Sequence, residues 1–173
     1  MAVAKSDSKP ESIMSQDVRK AAQQLLDTLK SVQLATLNAQ GEPEASYAPC
    51  LIESQRVYLF LSQLASHTQN LLRTPVCSLM WIADEQSSRN LFARERLILQ
   101  CRSEVIPSDS EVALMRLDAM EARQGPTLSL LRSLPDFQLF QLSPTSGRFI
   151  QGFGAAYTFE LFDLDTLTPV SGR

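Results

Sequence analysis

A single histidine, His67, stands in a chain of 173 residues, and that scarcity excludes several chemistries. A zinc site needs more nitrogen or sulfur ligands than the chain groups together. A Ser-His-Asp triad would need this one imidazole beside a nucleophile, and the sequence has no nucleophile-elbow motif to supply it. The three cysteines, Cys50, Cys77 and Cys101, lie far apart inside apolar runs with no C-x-x-C pair, which reads as free, buried thiols. Positive charge is also short: 16 Lys and Arg against 19 Asp and Glu leave a net charge of −3, interspersed along the chain. No basic stripe is available to track a phosphate backbone, so nucleic acid is not an expected partner. No stretch approaches the roughly 18 apolar residues of a spanning helix, and the polar opening residues offer no secretory apolar run. A cytoplasmic protein without membrane contact is expected. Gly152-Phe153-Gly154 is a G-x-G inside an apolar strand with no helix start after it, so a dinucleotide fingerprint is excluded.

What is present reads as one domain of mainly β character with helices, class α+β. Residues 1–14, rich in Ser, Lys and Pro, are read as a disordered leader, residues 15–160 as the domain and 161–173 as a weakly patterned tail. Ser15 is expected to cap a helix whose Val18, Ala21, Ala22, Leu25, Leu26 and Leu29 share one face, ending near Ser31. Strands are expected at 32–37, 44–53 and 56–61, joined by short polar links as an antiparallel meander. A short helix over 62–73 stops at Thr74-Pro75. The nearly continuous apolar run 76–82 reads as a strand buried on both sides, followed by a strand at 97–106. Ser108 is expected to open a helix with Val112, Met115, Leu117 and Met120 on its apolar face; Met115 and Met120 read as core filler rather than metal ligands. A second short helix at 126–133 and two strands, 137–142 and 148–160, complete a six-stranded closed or partly closed antiparallel barrel.

Four segments carry a resemblance to a known family. They are Leu34-Ala-Thr-Leu-Asn-Ala-Gln-Gly-Glu-Pro-Glu-Ala-Ser-Tyr-Ala-Pro49; Leu61-Ser-Gln-Leu-Ala-Ser-His-Thr-Gln-Asn-Leu71 with the strand to Trp81; Leu91-Phe-Ala-Arg-Glu-Arg-Leu97; and Asp136-Phe with Gly147-Arg-Phe-Ile-Gln-Gly-Phe-Gly-Ala-Ala156. In this order and spacing the chain resembles the haem-utilisation (HugZ/HutZ-type) branch of the pyridoxamine-5'-phosphate-oxidase-like FMN-binding split-barrel superfamily, over about residues 20–160. The resemblance implies a six-stranded split barrel that forms a homodimer with two ligand clefts at the subunit interface. It implies FMN there in the broad superfamily, and haem, with oxidative degradation in some members, in this branch.

The same resemblance implies the candidate site. Ser46 and Tyr47 on the second strand, and Ser62, His67, Thr68 and Asn70 around the following turn and helix start, are the expected cofactor contacts. A helix start suits an anion because its free amides and dipole favour negative charge. Arg94 and Arg96 are further cofactor contacts, and Arg96 matches an arginine near the distal side of haem, where a guanidinium can meet dioxygen or a propionate. The alternative for Arg94 and Arg96 is a solvated pair flanking Glu95. Asp136 matches an acid that orients the proximal histidine in haem-degrading relatives, and reads otherwise as a loop or capping acid. Arg96 and Asp136 are thus the candidate catalytic residues.

Two departures shape the expectation. Neutral Ser46 and Ala65-Ser66-His67 stand where FMN oxidases of the superfamily carry basic side chains, which predicts weak FMN binding. The relatives' proximal histidine comes from a C-terminal segment that reads here Asp163 to Arg173 without histidine. Haem iron is therefore expected on His67, the alternatives being a thiolate of Cys50, Cys77 or Cys101, or Tyr47. The leading expectation is a homodimer binding haem, possessed or not of oxidative turnover with an unidentified electron donor. An FMN-dependent oxidoreductase and a non-catalytic haem or flavin carrier are the alternatives.

Overall fold

The computed structural model describes the backbone of residues 9–170 and the side chains from Gln16 onward. Helix α1 (Lys9–Thr28) starts six residues before Ser15. Pro10 falls in its first turn, where the missing N–H costs no hydrogen bond. Residues 9–14 of the expected leader are therefore helical, and residues 1–8 lie outside the described ones.

Six antiparallel strands close a barrel: β1 (Ser31–Leu37), β2 (Pro43–Glu53), β3 (Arg56–Ser62), β4 (Val76–Ile82), β5 (Arg96–Ile106) and β6 (Phe137–Gly152). Around the barrel the order is β1-β2-β3-β6-β5-β4, with β4 returning to β1. Only the first three strands and then β4-β5-β6 run as meanders, because the chain crosses from β3 through α2 (Ser66–Arg73) to place β4 beside β1. The β1–β2 turn follows from Asn38, whose Oδ1 accepts the amides of Gln40 and Glu42 at 2.9 Å each, while Gly41 takes φ 78°.

Leu34, Leu59, Leu79, Leu97, Leu99, Trp81 and Phe149 fill the barrel, and Val18, Ala22, Leu25 and Leu26 of α1 pack onto the same core. β4 is not buried on both sides as its apolar run implied. Cys77, Leu79 and Trp81 point inward, while Val76, Ser78, Met80 and Ile82 stay half-buried on the outside.

Helices α3 (Glu111–Gln124) and α4 (Thr127–Arg132) lie on the outside of the barrel, where Ala113, Leu117, Met120 and Leu128 pack on Leu51, Tyr58 and Leu139. The cap is Ser110 rather than Ser108, its Oγ accepting the Ala113 amide at 3.1 Å. The buried face runs through residues 113, 117 and 120, so Val112 and Met115 are exposed.

The expected break between two final strands does not occur. β6 runs unbroken through Ser143 to Gly147, because Pro144 sits at a bulge, where no ladder donor is required of it. Gly152-Phe153-Gly154 instead makes the turn into β7 (Ala155–Glu160), with Gly154 at φ 67°. The residues after 160 are also built in. Phe162 is buried, and a two-residue strand β8 (Thr168–Pro169) pairs with β7.

Candidate functional site

The helix expected from Ser62 begins at Ser66, because Ser62 is used otherwise. Its Oγ donates to Asp136 Oδ2 at 2.5 Å and accepts the Leu64 amide at 3.1 Å, while the Gln63 amide donates to the Asp136 carbonyl at 2.7 Å. This fastens the end of β3 to the start of β6 and leaves α2 to open at Ala65.

From that start His67 reaches β2. Its Nδ1 lies 3.1 Å from Ser46 Oγ, and Ser46 Oγ donates to the Leu34 carbonyl at 3.4 Å. A hydroxyl carries one hydrogen. In the arrangement where that hydrogen goes to Leu34, Ser46 accepts from His67, the ring proton sits on Nδ1 and the lone pair is left on Nε2. Nε2 has no hydrogen-bond partner among the described residues. Burial pushes the His67 pKa below its ordinary value, and the nearby Glu44 carboxylate opposes that shift. The neutral imidazole is thus the favoured form.

Glu44 is the residue that the sequence did not single out. Its carboxylate accepts from Ser66 Oγ and from Asn70 Nδ2 at 3.2 Å. These bonds, Ser66 first, hold its pKa below the usual carboxylate range, with His67 adding to the effect. Asn70 also donates to Thr36 Oγ1 at 3.0 Å. Thr68 and Asn70 are both buried, so neither faces the cleft beside His67. A carboxylate already occupies the polar contacts at the α2 start that the resemblance assigns to a phosphate.

Tyr47, Ser62 and His67 line one cleft of about 360 Å³ between the outer face of β2–β3 and helices α3–α4. The remainder of its wall is mostly apolar, including Pro49, Leu61, Leu128 and Phe137, with Met120 and Gln124 from α3. Tyr47 is 63% exposed. Asp136 adjoins this wall through Ser62. Arg94 and Arg96 do not line it. The Arg94 Nε donates to the Ala83 carbonyl at 2.5 Å and its Nη1 pairs with Glu85 at 2.9 Å, while Arg96 Nη1 donates to the Arg94 carbonyl at 2.8 Å. Beside them Phe92 and, at the β6–β7 turn, Phe153 are 87% and 74% exposed. The helical half of the cleft was missed from sequence because α3 and α4 carry no motif. The one available signal was the amphipathic spacing of Leu128 and Leu131.

The pyridoxamine 5'-phosphate oxidase family matches residues 18–151. Haem oxygenase HutZ of Vibrio cholerae is 39% identical over 135 residues, 78% of this chain and 77% of HutZ. A crystal structure of HutZ, described as the haem storage protein of Vibrio cholerae, superposes with a TM-score of 0.71 at 33% identity, covering 83% of this chain and 94% of that one. Campylobacter jejuni ChuZ superposes with a TM-score of 0.81 at 28% identity, covering 96% of this chain and 72% of that one. Among the described residues no helix is long and apolar enough to cross a membrane.

Proposed function

Because the chain belongs to the pyridoxamine 5'-phosphate oxidase family, we propose that its cleft binds haem, with His67 Nε2 as the iron ligand, in preference to FMN. The observation that carries the reading is the Leu34–Ser46–His67 relay. A histidine that ligates a metal characteristically gives its other ring N–H to a neighbouring acceptor, which fixes the tautomer and ring orientation. Here Ser46 fills that role. Burial keeps the ring neutral, which is the ligating form. The apolar wall formed by Pro49, Leu61, Leu128 and Phe137 suits a flat macrocycle. The name of the 39% identical relative, a haem oxygenase, adds support.

A bound haem supplies redox-active iron, and the protein's part is to hold and orient it. His67 provides the ligand and Ser46 directs it. Tyr47 and Ser62 provide polar edges, and Asp136 holds Ser62 in place as a positioning residue. Thr68 and Asn70 act indirectly by fixing α2. Arg94 and Arg96 do not line the cleft of a single chain and would reach the site only across an interface. We therefore assign them to a homodimer in which a second copy completes the cleft. The exposed Phe92 and Phe153 and the half-buried outer face of β4 support such an interface.

FMN is the competing occupant, and Glu44 weighs against it. A phosphate at the start of α2 would face a carboxylate that already holds Ser66 and Asn70, without a lysine or arginine on β2 to offset it. Parallel titrations of ligand-free protein with haemin and with FMN test the choice. Saturable haem binding with a Soret band, and FMN binding no tighter than micromolar, are expected. Nanomolar FMN binding with no saturable haem uptake overturns the reading.

A further inference from the structure

Away from the His67 cleft, two of the three cysteines meet. Cys77 on β4 and Cys101 on β5 are directly opposite in the register, both side chains turned inward. The class of this pair follows from the bonds at the two ends of the ladder. The Ala83 amide donates to the Glu95 carbonyl at 2.9 Å and the Ser103 amide to the Pro75 carbonyl at 3.1 Å. Opposite pairs alternate between hydrogen-bonded and non-hydrogen-bonded. Counting in twos from either end makes Cys77–Cys101 a hydrogen-bonded pair, with Cα atoms about 5.5 Å apart. That separation lies inside the disulfide range, but Cβ atoms of such pairs sit wider than a relaxed disulfide prefers. A bond formed there is strained and readily reduced.

The neighbouring Cys77 and burial push the Cys101 pKa up, which slows ionisation of that thiol; access to an oxidant is what favours reaction over inert packing. On its other side Cys101 faces Pro144 at the β5–β6 bulge, where the register shifts. Both cysteines also line a cleft of about 490 Å³ with Thr36, Val76 and Thr145, ample for a molecule the size of hydrogen peroxide. Cys50 is buried elsewhere in the core and lines none of this cleft.

We propose that Cys77 and Cys101 form a redox site that hydrogen peroxide converts reversibly to an intramolecular disulfide. The Cys77 sulfur attacks one peroxide oxygen, the O–O bond breaks, and the departing hydroxide takes the Cys77 proton to become water, leaving Cys77 as the sulfenic acid. The Cys101 sulfur then attacks the Cys77 sulfur, the S–O bond breaks, the S–S bond forms, and the departing hydroxide takes the Cys101 proton and leaves as a second water. The two thiols lose two electrons and two hydrogens in all, and one peroxide becomes two waters.

The test uses the full chain, free of ligand, treated with hydrogen peroxide and then catalase before alkylation in denaturant and non-reducing peptide mapping. Free thiols are expected to fall from three to one, with a linked Cys77–Cys101 peptide two hydrogens lighter and Cys50 still alkylated. Dithiothreitol should restore all three. In Cys101→Ser the sulfenic acid on Cys77 should persist and be trapped by dimedone. Retention of all three thiols, a link through Cys50 or between chains, or over-oxidation of one cysteine without the linked peptide overturns the proposal.

Discussion

Replacing Ser46 by alanine removes one oxygen, and with it the acceptor that holds the Nδ1–H of His67. The contact is 3.1 Å long, and the donor is a neutral, half-buried imidazole. A neutral hydrogen bond of this kind contributes about 1 kcal/mol net, and loss of a partner behind a metal ligand weakens metal binding by about 10–100-fold. Water can reach a half-buried ring and replace part of the bond, so the lower end applies, about tenfold or about 1.4 kcal/mol. Haem affinity, followed by titration at the Soret band, should fall by that factor in Ser46→Ala and recover in Ser46→Thr, which keeps the hydroxyl. Nitrogen NMR of the sole histidine gives an independent reading on ligand-free protein. The Nδ1–H tautomer should dominate in the parent and lose its excess in Ser46→Ala. Unchanged affinity together with an unchanged tautomer ratio would refute the reasoning, because the serine would then be a bystander.

Three other outcomes are expected. In ligand-free protein the His67 ring should titrate below its ordinary value of about 6.5, and Glu44→Gln should lower the midpoint further, since Glu44 opposes the burial shift. A folded-state pKa below the unfolded one means that acid protonates the unfolded chain first, so stability falls as pH drops from about 6.5 through the folded midpoint. A midpoint at or above 6.5 by proton NMR contradicts this. Gly147→Ala should destabilise the protein, because an added Cβ would lie 2.1 Å from two ring carbons of the buried Phe159. Overpacking of about 1–3 kcal/mol, at about 2–4 °C per kcal/mol for a chain of this size, should lower Tm by several degrees; an unchanged melting curve counts against it. Light scattering at micromolar concentration should give the mass of a dimer, with an interface well over about 2,000 Å², and a monomer mass would leave Arg94 and Arg96 without a route to the cleft.

Much of the barrel was legible because strand signals are local. Alternation in β1 to β3, the Asn38–Gly41 turn and Pro75 set those elements to within a few residues. Their order around the barrel was not, since β4 pairing with β1 rather than β3 is a long-range choice. β6 was misread because Pro144 and the polar residues around it look like a break, whereas a bulge accommodates them. On the site, His67, Ser46, Tyr47 and Ser62 were legible through the resemblance, and the structure places them on one cleft or in contact with a residue that lines it. Glu44 was not, because its importance comes from contact with Ser66 and Asn70 across elements. Nor was the meeting of Cys77 and Cys101, which depends on register alone.

The central claim is that His67 is the iron ligand, and removing the imidazole tests it most directly. Haemin titration of His67→Ala, with light scattering and thermal melting to show that the fold and assembly persist, should show haem affinity reduced at least a hundredfold or a displaced Soret band. The same Soret position and the same affinity as the parent protein would contradict the account.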